Sequence, residues 1–346
     1  ARANISHKNE NFDAKLSATR VDTDGFSAKV PKDEKLSKYE DDGYENTTAN
    51  LKLGYNFDDS NRVSTSYEII DTKVNFDSTT PDDKISEANT LTHLANLTYE
   101  NRNDIALTKV YTNYTEIKRD SKSSSGTSNF RGKVKEYGLN TSIDYLSSSN
   151  VTIGADYKDF EDKEMSKDYD NKGIFISNTN KFFDDKTIFT QALRYDKYSD
   201  FENKTTGKIG IKQYIINELN ISSNYGTGYN VPTIYQLFEP AGMWGPVGNI
   251  NLEPEKTKSY DLGIEYKGFS ITYFNTKIDN MIDWGNGYEN IEGTSKIKGT
   301  EIAYKNEVIE DLLLNLSYTN LSAKDAKGDK LLNRPTNKFN FGVDYY

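Results

Sequence analysis

Apolar and polar side chains alternate residue by residue in segments spread along the whole of this sequence. In residues 50–57, NLKLGYNF, the leucines and aromatic residues would share one face and the polar residues the other. The same pattern recurs in residues 151–158, 312–319 and 339–346. Alternation of this kind predicts β-strands with one apolar face and one polar face. About sixteen such strands can be counted, and no amphipathic helix is predicted between them.

The connections between these strands alternate in length. Short turns are predicted at residues 57–61, 100–104, 146–150, 182–186, 216–219, 266–269 and 308–311. Long polar loops are predicted near residues 22–43, 77–89, 120–132, 164–171, 228–255, 284–293 and 322–335. Antiparallel neighbours reverse direction at each connection, so all the long loops would lie at one end. Short turns at one end and long loops at the other are typical of outer-membrane barrels.

The composition narrows the choice of fold. Hydrophobic residues make up 35% of the 346 residues and the mean hydropathy is -0.80, which is too polar for a soluble core of this length. The 25 tyrosines, against seven prolines, argue against disorder. A barrel in a membrane needs apolar side chains only on its lipid-facing surface. We therefore predict an all-β, antiparallel transmembrane β-barrel. The alternative is a large soluble β protein, although no propeller-like repeat of about 40–50 residues is found.

Several classes of function are excluded by the residues themselves. The chain has no cysteine and two histidines, His7 and His93, which leaves little material for a thiolate metal site or a histidine-based catalytic site. The net charge of -10 argues against a nucleic-acid partner. No nucleophile elbow, phosphate-binding loop or metalloprotease motif is present. We predict that the protein is not an enzyme and that it requires no cofactor.

The stretch from Tyr225 to Tyr266 carries a more specific pattern. It resembles the barrel signature of TonB-dependent outer-membrane receptors through Tyr225, Gly226, Gly228, Pro232, Asn251, Leu252, Pro254 and Glu255. Further similar segments follow in the same order, among them YFNTKIDNMIDW and LLNRPTNKFNFGVDYY. The early segments DTDGFSAK and EDDGYENTTANLKLGYNF are also similar, and within the family the chain resembles the vitamin B12 (cobalamin) receptors.

The resemblance implies a fold and a function. Residues 1–346 would be one receptor barrel domain, with about sixteen or seventeen of the family's 22 strands and without its N-terminal plug. We therefore expect the chain to be part of a longer protein in the outer membrane of a Gram-negative bacterium. That protein would take up cobalamin or a related corrinoid by TonB-dependent transport. The alternatives are a ferric-siderophore receptor of the same family, a passive porin and a surface adhesin.

The resemblance also implies a calcium site in the early outer loops. Its carboxylates would be Glu40, Asp42, Asp77 and Asp83, although Asp82 fits the last position equally well. Ser27 occupies a further position where the family pattern has an acidic residue. The alternative is an ordinary acidic loop in contact with solvent.

The long loop 228–255 holds apolar residues that suit a large ligand. Tyr235, Phe238, Met243 and Trp244 are candidate ligand contacts, and the alternative is that they only pack the loop against its neighbours. The expected partners are outer-membrane lipid and lipopolysaccharide, a small-molecule metal chelate, and TonB through the missing N-terminal region.

Overall fold

A computed structural model describes residues 1–27, 35, 39–78, 83–124, 126–146, 148–242 and 245–346. In these residues the chain forms seventeen β-strands and one short helix. The first nine strands are β1 (Arg2–Lys8), β2 (Phe12–Thr23), β3 (Tyr44–Asn56), β4 (Asn61–Asn75), β5 (Glu87–Arg102), β6 (Ala106–Ser123), β7 (Gly126–Tyr145), β8 (Ser149–Asp162) and β9 (Lys167–Phe182). The others are β10 (Thr187–Tyr198), β11 (Lys204–Ile216), β12 (Leu219–Asn230), β13 (Glu255–Tyr266), β14 (Phe269–Gly285), β15 (Gly287–Ile309), β16 (Leu312–Lys324) and β17 (Asn337–Tyr345). Helix α1 covers Ile234–Phe238, between β12 and β13.

The strands fall into two compact units. The first contains Ala1–Thr141 and Gly154–Lys172, and the second contains Ser142–Ile153 and Gly173–Tyr346. In the first unit, β1 to β6 pair in sequence order, each antiparallel to the next. In the second unit, β10 to β17 do the same. Consecutive antiparallel pairing confirms the all-β prediction.

The register places the predicted apolar residues side by side. Leu51 of β3 lies opposite Leu16 of β2 and Tyr67 of β4. In the second unit, Leu262 of β13 lies opposite Tyr273 of β14, and 55% of Leu262 is exposed. The buried apolar residues of the described chain are few: Ile234, Leu237, Leu252, Met281, Ile291, Ala323 and Leu331. Most apolar strand residues therefore face outward, which is favourable only in an apolar surrounding.

The seven predicted short turns are confirmed. They connect β3 to β4, β5 to β6, β7 to β8, β9 to β10, β11 to β12, β13 to β14 and β15 to β16. The shortest of them connect β11 to β12, β13 to β14 and β15 to β16, and each contains two residues. The predicted loops at 228–255 and 322–335 also exist, as residues 231–254 and 325–336.

Three of the predicted long loops are wrong. The expected loop at 120–132 is the tip of a hairpin whose strands run to Ser123 and restart at Gly126. The loop at 164–171 is a four-residue turn, and that at 284–293 is the single residue Asn286 between β14 and β15. In the first two segments the strands continue with mostly polar residues, and in the third the apolar residues, such as Met281 and Ile282, fall on both faces. Without one apolar and one polar face, a strand shows no regular alternation and its sequence resembles that of a loop.

Helix α1 was also not predicted from the sequence. It is only five residues long, and Thr233 caps it through a hydroxyl group that accepts a hydrogen bond from the Gln236 amide at 3.2 Å. The Gln236 side chain in turn accepts from the Thr233 amide at 2.9 Å, which completes a capping box. Among the described residues, no helix has the length and apolar character needed to span a membrane.

Candidate functional site

The predicted carboxylates Glu40, Asp42 and Asp77 lie close together. One oxygen atom from each lies within 4.8 Å of the others, and all three residues are half-buried. Glu40 and Asp42 precede β3, and Asp77 follows β4. Because β3 and β4 are antiparallel neighbours paired from Tyr44 and Val74 onward, the register brings these two connections to the same end. Three carboxylates at this separation repel one another unless a cation or protons offset their charge.

Near the carboxylate cluster, the backbone at Gly25 lies close to the backbone at Asp42. Gly25 has φ of 75°, and a Cβ atom at this position would overlap the carbonyl oxygen of Asp42. The Asn75 amide donates to the Gly43 carbonyl at 2.9 Å. The segment after β2 therefore packs directly against the segment that carries Asp42.

Asp83 is next to the cluster but has other contacts. Its amide donates to Asp77 Oδ1 at 3.4 Å, which places the two residues side by side. Its carboxylate accepts from the Ser86 hydroxyl at 2.7 Å and from the Ser124 hydroxyl at 3.0 Å. The Ser86 hydrogen bond is the main cause that lowers the pKa of Asp83 from its ordinary value. Asp83 is therefore an ionised, buried carboxylate that supports the segment carrying Asp77, and Asp82 lies outside the described residues.

Ser27, where the family pattern suggested an acid, borders the same cluster. Its side chain is buried and its hydroxyl donates to Asp77 Oδ2 at 3.3 Å. The position predicted to be a ligand thus carries a neutral oxygen atom directly beside the three carboxylates. A hydroxyl group is a weaker ligand for a hard cation than a carboxylate, but it is an oxygen ligand.

The second candidate region is the connection 231–254. Within it, the Gly248 amide donates to the Glu239 carbonyl at 3.0 Å, and the Asn249 amide donates to the Gln236 carbonyl at 2.8 Å. Ile234 and Leu237 of α1 are buried, and Pro232 is fully buried. The connection is therefore folded compactly onto its own short helix.

The connection is also attached to the β14–β15 hairpin. Asn290 of β15 accepts from the Glu253 amide at 2.8 Å, and its side-chain amide donates to the carbonyl groups of Glu253 at 2.9 Å and Asn280 at 2.8 Å. Asn280, at a bulge with φ of 57°, donates to Glu253 Oε2 at 2.8 Å. Glu255 accepts from the Ile282 amide at 2.8 Å and from Asn230 at 2.9 Å. These contacts fix the end of the connection against three strands.

The residues of the family-like signature, from Tyr225 to Glu255, lie in the end of β12, in the connection 231–254 and at the start of β13. Strand β12 ends at Asn230, before Pro232, and β13 begins at Glu255, directly after Pro254. A Cβ atom at Gly226 or Gly228 would meet its nearest neighbours at 3.6 Å and 3.5 Å, which is normal contact. Tyr225 is exposed, Leu252 is buried, and Asn251 donates its amide to Asn249.

Two of the four predicted ligand contacts, Tyr235 and Phe238, lie within the described residues. The Tyr235 ring packs edge-on against Tyr288 at 6.2 Å, and Phe238 is 37% exposed. Met243 and Trp244 lie outside the described residues. Sequence reasoning missed Tyr288 and Trp284, whose rings meet edge-on at 5.1 Å across the tip of the β14–β15 hairpin, with Trp284 56% exposed. Their position on either side of the Gly285–Asn286–Gly287 turn is a signal that could have identified them.

Comparisons with known proteins agree with this architecture. The family model described as "TonB dependent receptor-like, beta-barrel" matches residues 4–346. The chain is 28% identical to the vitamin B12 transporter BtuB of Vibrio cholerae serotype O1 over 55% of this chain and 32% of that protein. It is 24% identical to the BtuB of Photobacterium profundum over 96% of this chain and 56% of that protein.

Solved structures show the same fold. The siderophore receptor PirA of Acinetobacter baumannii has a TM-score of 0.83 at 14% identity, covering 100% of this chain and 62% of that chain. A ferric enterobactin receptor (PfeA) of Pseudomonas aeruginosa has a TM-score of 0.80 at 14% identity, covering 99% and 62%. The chain thus spans between about a third and two thirds of the proteins it matches. It belongs to the TonB-dependent receptor-like β-barrel family, whose members are outer-membrane proteins of Gram-negative bacteria and not enzymes.

Proposed function

We propose that the complete protein is an outer-membrane receptor that takes up cobalamin or a related corrinoid with energy from TonB, and that calcium at Glu40, Asp42 and Asp77 organises its ligand-binding loops. The observation that supports this most directly is the convergence of these three carboxylates to within 4.8 Å from two separate connections. The names of the two BtuB relatives support the same ligand class.

Calcium suits the cluster chemically. Ca²⁺ takes about six to eight oxygen ligands at roughly 2.3–2.6 Å, from carboxylates, carbonyl groups and water. Glu40, Asp42 and Asp77 would supply the charge, and the Ser27 hydroxyl beside Asp77 is a further oxygen atom. Bound calcium would offset the mutual repulsion of the carboxylates and hold the β2–β3 and β4–β5 connections in one arrangement. Ligand binding to these connections would then depend on calcium.

Within the second unit, the aromatic residues near α1 are a separate candidate surface for apolar contact with a ligand. Tyr235, Tyr288 and Trp284 form a row of edge-on rings, and Phe238 is partly exposed nearby in sequence. Large ligands are held by such surfaces, with a few polar groups fixing their orientation. A ferric siderophore is the second candidate. It would use the same aromatic surface but would not require the three carboxylates.

The test is calorimetric titration of the complete protein in detergent micelles with cyanocobalamin, with calcium and with a chelator. We expect binding with calcium and at least about tenfold weaker binding after chelation, a difference of about 1.4 kcal/mol. The double variant Asp42→Asn, Asp77→Asn should bind as weakly with calcium as the unmodified protein does without it. The change Asp59→Asn, in the short turn between β3 and β4, is the control and should have no effect.

A second pair of variants leaves all the carboxylates in place. Gly25→Ala would place a Cβ atom on the Asp42 carbonyl and force φ of 75° on an alanine, so it should displace Asp42 and weaken calcium binding, measured by terbium luminescence. Gly43→Ala is the matched control, because its Cβ atom would lie 3.6 Å from the nearest atom. If the protein binds calcium but not cobalamin, the corrinoid proposal is rejected, and ferric siderophores are the next ligands to titrate. Calcium-independent cobalamin binding would reject the role of the carboxylates.

A further inference from the structure

Four lysine residues lie in a continuous row across four neighbouring strands of the second unit. Lys258 of β13 lies opposite Lys277 of β14, Lys277 opposite Lys296 of β15, and Lys296 opposite Lys324 of β16. All four are exposed. Neighbouring strands are about 4.8 Å apart, so the row extends over about 14 Å. We call these four residues the lysine row.

The lysine row is electrostatically unusual for this chain. Like charges directly opposite each other on adjacent strands are destabilising, and the chain as a whole has a net charge of -10. None of the four lysines forms an ion pair with a carboxylate of the described residues, although lysines elsewhere in the chain do. Two further lysines extend the positive surface: Lys298 is two residues along β15 from Lys296, and Lys256 is two residues along β13 from Lys258. Asp279, opposite Lys256, accepts a hydrogen bond from Thr294.

The lysine row lies on the outward face of the strands. Side chains two residues apart on a strand share a face, so Lys258 shares its face with Tyr260 and Leu262, and Lys277 shares its face with Tyr273. These apolar residues are exposed and belong to the surface that faces the membrane. Tyr260 and Tyr273 contact each other with their ring centroids 6.2 Å apart.

The depth of the lysine row follows from the same spacing. Tyr260 is two residues from Lys258, or about 7 Å, and Tyr273 is four residues from Lys277, or about 13 Å. Tyrosine residues concentrate at the boundary between lipid and water in outer-membrane barrels. The lysine row is thus on the water side of this aromatic boundary, at the end that carries the long 231–254 and 325–336 connections. That is the depth and the membrane leaflet where the charged head groups of outer-leaflet lipids lie.

We propose that the lysine row binds the phosphate groups of a phosphorylated glycolipid of the outer leaflet. Ammonium groups at this depth attract anionic head groups, at about 1 kcal/mol for each lysine near a charged surface. A phosphate near Lys277 and Lys296 would replace the repulsion between neighbouring lysines with attraction. The acyl chains of the same lipid would pack on the exposed apolar side chains below, such as Leu262. The proposal does not depend on which nutrient the receptor binds.

The experiment uses the complete protein in detergent micelles, titrated with diphosphoryl lipid A and followed by native mass spectrometry. We expect the double variant Lys277→Gln, Lys296→Gln to bind this lipid at least about tenfold more weakly than the unmodified protein. Lipid A without phosphate groups should bind weakly to both proteins. The variant should retain its heat-dependent electrophoretic mobility, because both side chains are exposed and glutamine remains polar.

The control is a second pair of lysines on adjacent strands, whose side chains lie on the face of the sheet opposite to the outward apolar face. Lys15 and Lys52 lie opposite each other on β2 and β3, are exposed, and alternate with the outward Leu16 and Leu51. The double variant Lys15→Gln, Lys52→Gln should bind diphosphoryl lipid A as well as the unmodified protein. Equal binding by the Lys277/Lys296 variant, or equal binding of phosphate-free lipid A, would overturn the proposal. Displacement of the lipid by excess inorganic phosphate would also overturn it, in favour of a free-phosphate site.

Discussion

Asp83 shows how a single carboxylate can order a connection beside a proposed ion site. Its oxygens accept hydrogen bonds from the Ile85 amide at 3.3 Å and from the Ser86 and Ser124 hydroxyl groups. These bonds favour the ionised form and lower the pKa of Asp83. A carboxyl group with a lowered pKa stabilises the folded connection above its ordinary pKa of about 3.9. This stabilisation is lost as the pH falls through the lower folded value.

We therefore expect the Ile85 amide to be protected from hydrogen exchange from pH 7 down to about pH 4, and to lose protection at lower pH. In the variant Asp83→Ala, protection of the Ile85 amide should be low at pH 7 and should not fall further as the pH is lowered. The measurement is hydrogen exchange by mass spectrometry, corrected for the intrinsic pH dependence of exchange. Asp104→Ala, in the short turn between β5 and β6, is the control. Unchanged Ile85 protection in Asp83→Ala would show that the Asp83 contacts do not order this connection.

Individual site residues differed in how far the sequence could identify them. Glu40, Asp42 and Asp77 were found through the resemblance to a family pattern, and the structure brings them together. Tyr288 and Asn290 were missed because their importance depends on which connection packs against them. That information lies in the register of β14 and β15, including the bulge at Asn280, which a single sequence does not reveal.

Among the elements, the connection 231–254 combines a short helix with a firm attachment to a hairpin. A five-residue helix is too short to be stable alone, so its order depends on capping by Thr233 and on contacts outside the helix. Asn290 makes two of these contacts, both with the backbone of Glu253, and its third hydrogen bond, to the Asn280 carbonyl, lies within the β14–β15 hairpin. The connection is thus presented as a preformed surface.

The variant Asn290→Ala should loosen this connection without unfolding the strands. Each lost hydrogen bond costs about 0.5–1.5 kcal/mol, so loss of the two bonds to Glu253 should lower the local stability of the connection by about 1–3 kcal/mol. Hydrogen exchange within residues 231–254 should accelerate, while exchange in β12 and β13 stays unchanged. Asn251→Ala is the matched control, since Asn251 is exposed in the same connection. Equal exchange in both variants would show that Asn290 does not hold the connection.

Hairpin tips were the elements that sequence reasoning described least well. The tip of β14 and β15 was expected to be a loop, yet pairing continues to Gly285 opposite Gly287. Beyond the lipid-facing part of a strand, no single face has to be apolar, so the alternation in the sequence disappears while backbone pairing continues. The short turns were correctly predicted because they directly follow strands that still carry the alternating pattern.

At the scale of the whole molecule, the apolar side chains of the strands face outward and the described chain has few buried apolar residues. In soluble proteins the apolar side chains are mostly buried, and the opposite arrangement here could be predicted from the alternation and the composition together. Family membership and the solved relatives then explain it, since these proteins lie in the outer membrane.

Replacement of an outward leucine should therefore be costly. Leu51 lies between Leu16 and Tyr67 on the apolar face, and Leu51→Arg should lower folding stability in a bilayer by about 2–4 kcal/mol if the residue lies near the midplane. Lys52→Arg, one residue further along on the opposite face, should change stability little. Both values can be measured by denaturant-dependent folding of the complete protein into lipid vesicles. A neutral Leu51→Arg would show that this face does not meet lipid.

The uninterrupted pairing at the tip of β14 and β15 has a consequence for how such receptors diversify. Between Met281 and Ile291 each residue has a partner in register up to the turn at Asn286. Loss or gain of one residue on either arm would exchange the two faces of everything beyond it, whereas a change of two residues would preserve them. Among related sequences, insertions and deletions on each arm of this ribbon should therefore come in even numbers, while those in residues 325–336 should show no such parity.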